Sequence, residues 1–93
     1  MDQLISLISA IGKNYSTEKI ILFGSRARGD HKERSDIDLA VYGLSKEDQS
    51  LFWSNIEDLP TLLRFDLVFV DRNTDPNLLE NIEKDGVVIY EKN

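Results

Sequence analysis

Apolar residues along the first part of the chain change from a helical to a strand-like spacing. Between Leu4 and Ile11 they recur every three or four positions, which predicts a helix that ends near Gly12. The run Ile20–Phe23 is short, continuous and partly β-branched, and therefore predicts a buried strand. The polar stretch that follows, Gly24–Ser35, predicts a loop with one helical turn at its start.

A second strand and a second long helix are predicted next. The segment Asp36–Tyr42 reads as a strand, and its alternation places Asp36 and Asp38 on one face. Ser45, with an acid three residues later, predicts the start of a helix, and Pro60 predicts its end.

The last third of the chain repeats the strand–helix–strand pattern. Phe65–Val70 predicts a third strand with Asp66 as its second residue. An aspartate–proline pair at positions 75 and 76 predicts a helix start, Gly86 its end, and Val87–Tyr90 a short final strand. This order predicts a single α/β (α+β) domain over residues 1–93, with a small mixed sheet flanked by helices.

Charge and composition narrow the class of protein. The chain has 17 acidic and 11 basic residues and a net charge of −6, which disfavours a long nucleic acid as substrate. Four bases nevertheless lie within nine residues, at Arg26, Arg28, Lys32 and Arg34. Such a loop suits a small polyanion such as a triphosphate, although a solvated charged loop explains the charge pattern alone. Without cysteine or a run of ~20 apolar residues, a cytoplasmic protein with no membrane segment is expected.

Two of the predicted strands each carry acids inside an apolar run. If these strands are neighbours, Asp36, Asp38 and Asp66 approach one another, because side chains on one face of adjacent strands lie ~5 Å apart. Such a cluster needs compensation by cations or by the arginines of the adjacent loop. Oxygen ligands suit Mg²⁺ or Mn²⁺, and two such ions can clamp a phosphoryl-type displacement.

The dipeptide Gly24-Ser25 fits the phosphate side of the same chemistry. A glycine directly after a strand allows close backbone approach, and the turn that begins at Ser25 offers free N–H groups and a hydroxyl. The spacing Gly-Ser, ten residues, Asp-x-Asp is expected by chance in about one chain in a thousand of this length. Ser25 as a plain helix cap and Asp66 as a solvent-facing acid remain open alternatives.

The segments Gly24–Asp30, Ser35–Val41 and Phe65–Val68 resemble the signature of the DNA polymerase β-like nucleotidyltransferase superfamily. Within it, nearly the whole chain resembles the minimal nucleotidyltransferases (MNT) of prokaryotic HEPN/MNT toxin–antitoxin pairs. The resemblance implies a palm-like sheet, ATP as substrate and two Mg²⁺ ions. It further implies that metal ligation and catalysis are carried out by three aspartates, Asp36, Asp38 and Asp66. The residues implied to bind phosphate are those of the turn, Gly24, Ser25, Arg26 and Arg28.

Three functions remain open at this point. The first is transfer of AMP to a protein hydroxyl, with a tyrosine of a HEPN ribonuclease toxin as the acceptor that the resemblance implies. The second is modification of a small, antibiotic-like molecule, and the third is a non-enzymatic antitoxin that acts by occlusion. The intact set of acids disfavours the third, and the lack of an acceptor-binding domain disfavours the second. The acceptor residue, the preferred nucleotide and any homo- or hetero-oligomer are not fixed by the sequence.

Overall fold

The computed structural model describes residues 2–93, and its helices and strands follow the predicted order. The helices are α1 (Asp2–Asn14), α2 (Ser25–Arg28), α3 (Lys46–Glu57) and α4 (Pro76–Asp85). The strands are β1 (Lys19–Phe23), β2 (Ile37–Tyr42), β3 (Phe65–Val70) and β4 (Val87–Glu91). None of the helices in this part of the chain is long and apolar enough to cross a membrane.

The four strands form one mixed sheet in the order β3-β2-β1-β4. Strand β1 pairs antiparallel with both β2 and β4, whereas β2 and β3 are parallel. The parallel pair needs a crossover connection, which α3 provides. As a result, the C-terminal end of β1 lies at the same edge of the sheet as the N-terminal ends of β2 and β3.

The two faces of the sheet are covered by different helices. On one face, the larger core contains Ile37, Leu39 and Val41 of β2 together with Ile8 of α1 and Phe52 of α3. On the opposite face, α4 covers the sheet through a small cluster of Ile21, Ala40 and Ile82. Asp38 belongs to this second face by alternation with Ala40, but it lies toward the end of the strand at which β2 begins.

Several predicted boundaries differ from those observed by a few residues at most, including the start of β1 at Lys19 and the end of β4 at Glu91. The first helix continues past Gly12 to Asn14; Gly12 is buried within it, and an added Cβ atom would lie 2.7 Å from Ile20 Cδ1. This glycine therefore permits close packing rather than ending the helix. Strand β2 begins at Ile37, one residue after Asp36, and α3 ends at Glu57 before Pro60 is reached.

The remaining helix ends follow from local hydrogen bonds. Asp75 caps α4 as predicted, since its Oδ1 accepts a hydrogen bond from the backbone N–H of Asn77 at 2.9 Å. Ser45 precedes α3 as predicted, but its hydroxyl donates to Asp48 Oδ2 at 3.0 Å instead of accepting from the backbone.

Candidate active site

The parallel pairing of β2 and β3 brings two of the predicted acids together. Asp38 and Asp66 are direct partners in the register, and both lie near the starts of their strands. Asp66 is exposed and Asp38 is half-buried. The condition set by the sequence, that the two strands be neighbours, is therefore met. Asp36 is exposed and lies one residue before the strand, so the ladder of β2 does not hold its backbone.

The electrostatics of Asp38 reflect this crowding of acids. Burial raises the pKa of the Asp38 carboxyl above its ordinary value of 3.8, and the negative charges of Asp66 and Asp36 raise it further. The positive charge of Arg28 lowers the pKa and offsets part of the effect. Negative charge and burial therefore disfavour the ionised form of Asp38 more than Arg28 favours it, and a bound cation would stabilise that form.

Gly24 contacts this acid directly. Its backbone angles, φ 77° and ψ −156°, lie in a region that only glycine adopts without strain. A Cβ atom at this position would overlap the Asp38 carboxylate. Since Phe23 pairs with Asp38 in the β1–β2 register, the turn after β1 begins directly beside the acid. The predicted phosphate-binding turn and the predicted metal-binding acid are therefore adjacent.

The turn after Gly24 is the predicted single helical turn, α2, with Gly24 as its N-cap. The carbonyl of Gly24 accepts hydrogen bonds from the N–H groups of Ala27 and Arg28, both at 3.1 Å. The first N–H groups of a helix have no partner within it, which at α2 leaves those of Ser25 and Arg26 to be satisfied from outside. Ser25 is half-buried and follows Gly24 directly.

The two predicted arginines have different surroundings. Arg26 is half-buried, and its guanidinium donates two hydrogen bonds to backbone carbonyls, from Nε to Ser35 at 3.0 Å and from Nη2 to Glu33 at 3.1 Å. Arg28 is exposed and forms an ion pair with Asp30 at 3.2 Å. Arg28 also acts on the charge of Asp38, as its effect on the pKa of that group shows. Of the two, Arg28 has the freer side chain.

The protein offers some of the oxygen ligands that Mg²⁺ needs, and the phosphates of a substrate would have to supply others. Within residues 2–93, no three acidic, histidine or cysteine side chains are grouped so as to hold an ion by themselves. Mg²⁺ is commonly bound by one or two carboxylates together with substrate phosphates, and carboxylates are the ligands present here. The opposed pair Asp38–Asp66 beside the Gly24 turn has that composition.

A cavity of about 470 Å³ lies next to the starts of β2 and β3. Its lining combines basic, acidic and apolar side chains, namely Glu33, Arg34, Leu62, Leu63 and Arg64. Arg34 and Arg64 each precede a candidate metal-binding aspartate by two residues, and the Leu62 side chain is fully exposed. The sequence did not predict that Arg64 and Leu62 lie at this site, because their position depends on the pairing of distant strands.

The strand order, the parallel register and the acids near it are those expected of a nucleotidyltransferase. Residues 6–93 match the family model described as polymerase beta, nucleotidyltransferase, so the chain belongs to the polymerase β nucleotidyltransferase family. The predicted family and the predicted α/β fold are both confirmed by this match.

Two similar proteins come from Methanocaldococcus jannaschii, and both are named as candidate protein adenylyltransferases. One is 34% identical over 62 residues, which cover 67% of this chain and 72% of that protein. The other is 32% identical over 79 residues, which cover 83% of this chain and 81% of that protein.

Among solved structures, a toxin–antitoxin crystal structure with AMP-PNP has the same fold, with a TM-score of 0.75 and 24% identity. It matches 95% of this chain and 73% of its own. A mutant of the MntA-HpeT toxin–antitoxin is similarly related, with a TM-score of 0.74, 22% identity and the same coverage.

Proposed function

We propose that this nucleotidyltransferase transfers AMP from ATP to a protein hydroxyl and thereby acts as an antitoxin. The observation that carries the proposal is the pairing of Asp38 with Asp66 in the parallel register, directly beside the Gly24 turn. This arrangement provides carboxylates and a phosphate-approach site within one edge of one sheet. The names of the two related adenylyltransferases support ATP as the donor and a protein as the acceptor.

The reaction exchanges one oxygen for another at the α-phosphorus of ATP. The acceptor oxygen forms a bond to that phosphorus, the bond to the bridging oxygen of pyrophosphate breaks, and the hydroxyl proton is released. Gly24 allows the triphosphate to approach the backbone, and the N–H and hydroxyl of Ser25 donate to its oxygens. Asp66, which is exposed beside Asp38, accepts the proton from the acceptor hydroxyl.

Asp36, Asp38 and Asp66 would hold two Mg²⁺ ions, with the remaining ligands supplied by phosphate oxygens and water. When bound, these ions would supply electrostatic stabilisation of the charge that develops on the transferring group. Arg28 contributes further positive charge near Asp38. Strands β2 and β3 hold Asp38 and Asp66 in fixed directions, and such preorganisation makes electrostatic stabilisation effective.

The proposed acceptor is a tyrosine of a cognate HEPN ribonuclease toxin. The resemblance of the Gly-Ser and Asp-x-Asp segments to MNT domains supports this partner, as do the toxin–antitoxin complexes among the structures with the same fold. The net charge of −6 favours a basic protein over nucleic acid, because complementary charge raises the rate of encounter. An added AMP near the toxin's active site would repel or block RNA.

The test combines this chain with the proposed HEPN partner, to be sought as the product of the adjacent gene, together with ATP and Mg²⁺. We expect mass spectrometry to find one or more AMP units on a tyrosine of the partner, and the partner's ribonuclease activity to be lost. The double variant Asp36→Asn/Asp38→Asn should give neither result. Glu80→Gln/Glu83→Gln, which removes two negative charges from exposed positions of α4, serves as the matched control and should act like the wild type.

Other outcomes separate the remaining functions. An unmodified partner that is inhibited equally well by the double variant would contradict transfer and indicate occlusion. Transfer to an aminoglycoside-type molecule but not to the protein would indicate the small-molecule enzyme.

A further inference from the structure

Arg26 was predicted to bind phosphate, but its side chain in the structure points toward the loop that precedes β2. Two of its donors are used by the carbonyls of Ser35 and Glu33. Both bonds span a sequence separation of seven to nine residues, so they join α2 to a different part of the loop. The side chain is half-buried, although most of the loop that it contacts is exposed.

The loop segment that Arg26 contacts is itself a closed turn. The backbone N–H of Lys32 donates to Ser35 Oγ at 2.8 Å, and the backbone N–H of Ser35 donates to the Lys32 carbonyl at 3.1 Å. Arg26 therefore binds a compact unit and not a single flexible residue. Ser35 is the last residue of this unit, and Asp36 follows it directly.

Asp36 is the one candidate metal ligand that the sheet does not hold. Strand β2 begins after it, at Ile37, whose N–H donates to the Arg64 carbonyl at 2.9 Å. On the other side, Ser35 is bound by Arg26 at 3.0 Å. Among residues 2–93, the backbone of Asp36 is thus fixed through its two neighbours, and one of these two attachments is the Arg26 side chain.

We propose that Arg26 is a positioning residue, which holds the turn at residues 32–35 so that Asp36 is presented beside Asp38. This role rests on the proposed function in so far as Asp36 is a metal ligand. The planar guanidinium is suited to the task because its donors have a fixed fork geometry and can reach two carbonyls at once. Lysine at this position would keep the charge but lose the fork.

The experiment compares Arg26→Lys with the wild-type protein in two measurements. Without nucleotide, hydrogen exchange of the Lys32 and Ser35 amides should become about tenfold faster, because their turn loses its attachment to α2. In transfer assays with the HEPN partner, kcat should fall by about 10- to 100-fold while KM for ATP stays within about threefold, as misplacement of a catalytic group by ~1 Å predicts.

Two further variants interpret the result. Arg28→Lys alters the more exposed arginine, which is the one proposed to meet the triphosphate, and it should raise KM for ATP without changing exchange in residues 32–35. Arg72→Lys changes an exposed arginine in the turn after β3, at the other end of the sheet, and should change neither quantity. Circular dichroism of all three variants checks that each is folded.

Unchanged exchange in Arg26→Lys, with or without a raised KM, would overturn the positioning role, and a raised KM would assign Arg26 to the phosphates. Faster exchange without a fall in kcat would overturn the link to Asp36. The exchange measurement requires no acceptor, so it decides whether Arg26 holds the turn even if the wild-type protein modifies no HEPN partner. Conversely, transfer by the wild-type protein would stand if the role of Arg26 failed.

Discussion

Replacing Asp38 by asparagine should stabilise the protein and abolish transfer. The carboxylate of Asp38 opposes that of Asp66 across the β2–β3 pair, with Asp36 two residues earlier. Two unit charges ~5 Å apart repel by about 0.8 kcal/mol in water and by about 3 kcal/mol at an effective dielectric constant of 20. Because Asp66 is exposed and Arg28 offsets part of the repulsion, the lower value is appropriate.

We therefore expect Asp38→Asn to raise the free energy of unfolding at pH 7 by about 0.5–1 kcal/mol, the range of a cross-strand charge pair. In a domain of this size, such a gain corresponds to about 2–8 °C in Tm. The assay is thermal unfolding followed by circular dichroism, without metal or nucleotide. Glu47→Gln is the control for net charge, and its Tm should stay constant or fall slightly because an acid in the first turn stabilises α3.

The dependence on pH gives the sharper test. The pKa of Asp38 is raised in the folded protein, so its protonated form favours folding. That contribution is fully present below the ordinary pKa of 3.8 and is lost as the pH rises through the higher folded pKa. The Tm advantage of Asp38→Asn should therefore be large at pH 7 and disappear toward pH 3.5–4. An advantage that is independent of pH, or a lower Tm at pH 7, would refute the crowding of charges at this site.

Three further predictions concern the same edge of the sheet. Calorimetry should find weak Mg²⁺ binding alone and much tighter binding of ATP with Mg²⁺, because the ion takes several of its ligands from phosphates; ATP affinity that does not depend on Mg²⁺ would contradict the two-ion proposal. Gly24→Ala should lower the free energy of unfolding by about 1–3 kcal/mol through backbone strain, and its new Cβ should also displace Asp38. Gly29→Ala is the control, because no atom lies within 4 Å of its new Cβ; thermal unfolding should show backbone strain alone, and more activity should remain. In steady-state kinetics, Asp66→Asn should lower kcat by about 100-fold or more and change ATP affinity much less. Asp58→Asn is the control for charge, and an equal fall in kcat in that variant would indicate an effect of net charge alone.

The sequence predicted most of what local pattern determines. Every strand was recognised from its apolar run, and the turn at Ser25 followed from a glycine placed directly after a buried strand. The α4 cap at Asp75 was equally clear, because the cap and the following proline act within a few residues. In each case the physical cause lies within one element.

What the sequence could not predict depends on contacts between distant segments. The order β3-β2-β1-β4 and the pairing of Asp38 with Asp66 depend on strands that are separated in the sequence by a crossover helix. The family resemblance implied that Arg26 binds phosphate, while its bonds to residues 33 and 35 require a loop conformation that no periodicity encodes. Gly12 looked like the end of a helix because its packing against Ile20 belongs to another element.

The parallel register has a consequence for how such a domain can diversify. Asp38 and Asp66 face each other because of the hydrogen-bond ladder, and β2 is joined to β3 by a helix and two connections that alternate between exposed and half-buried residues. Changing the length of these connections would leave the ladder intact, whereas a slip of one residue within either strand would turn its carboxylate to the opposite face. The geometry of the two acids therefore depends on the strands and not on the length of the connections, and changes in those connections could alter the surrounding surface without changing the pair.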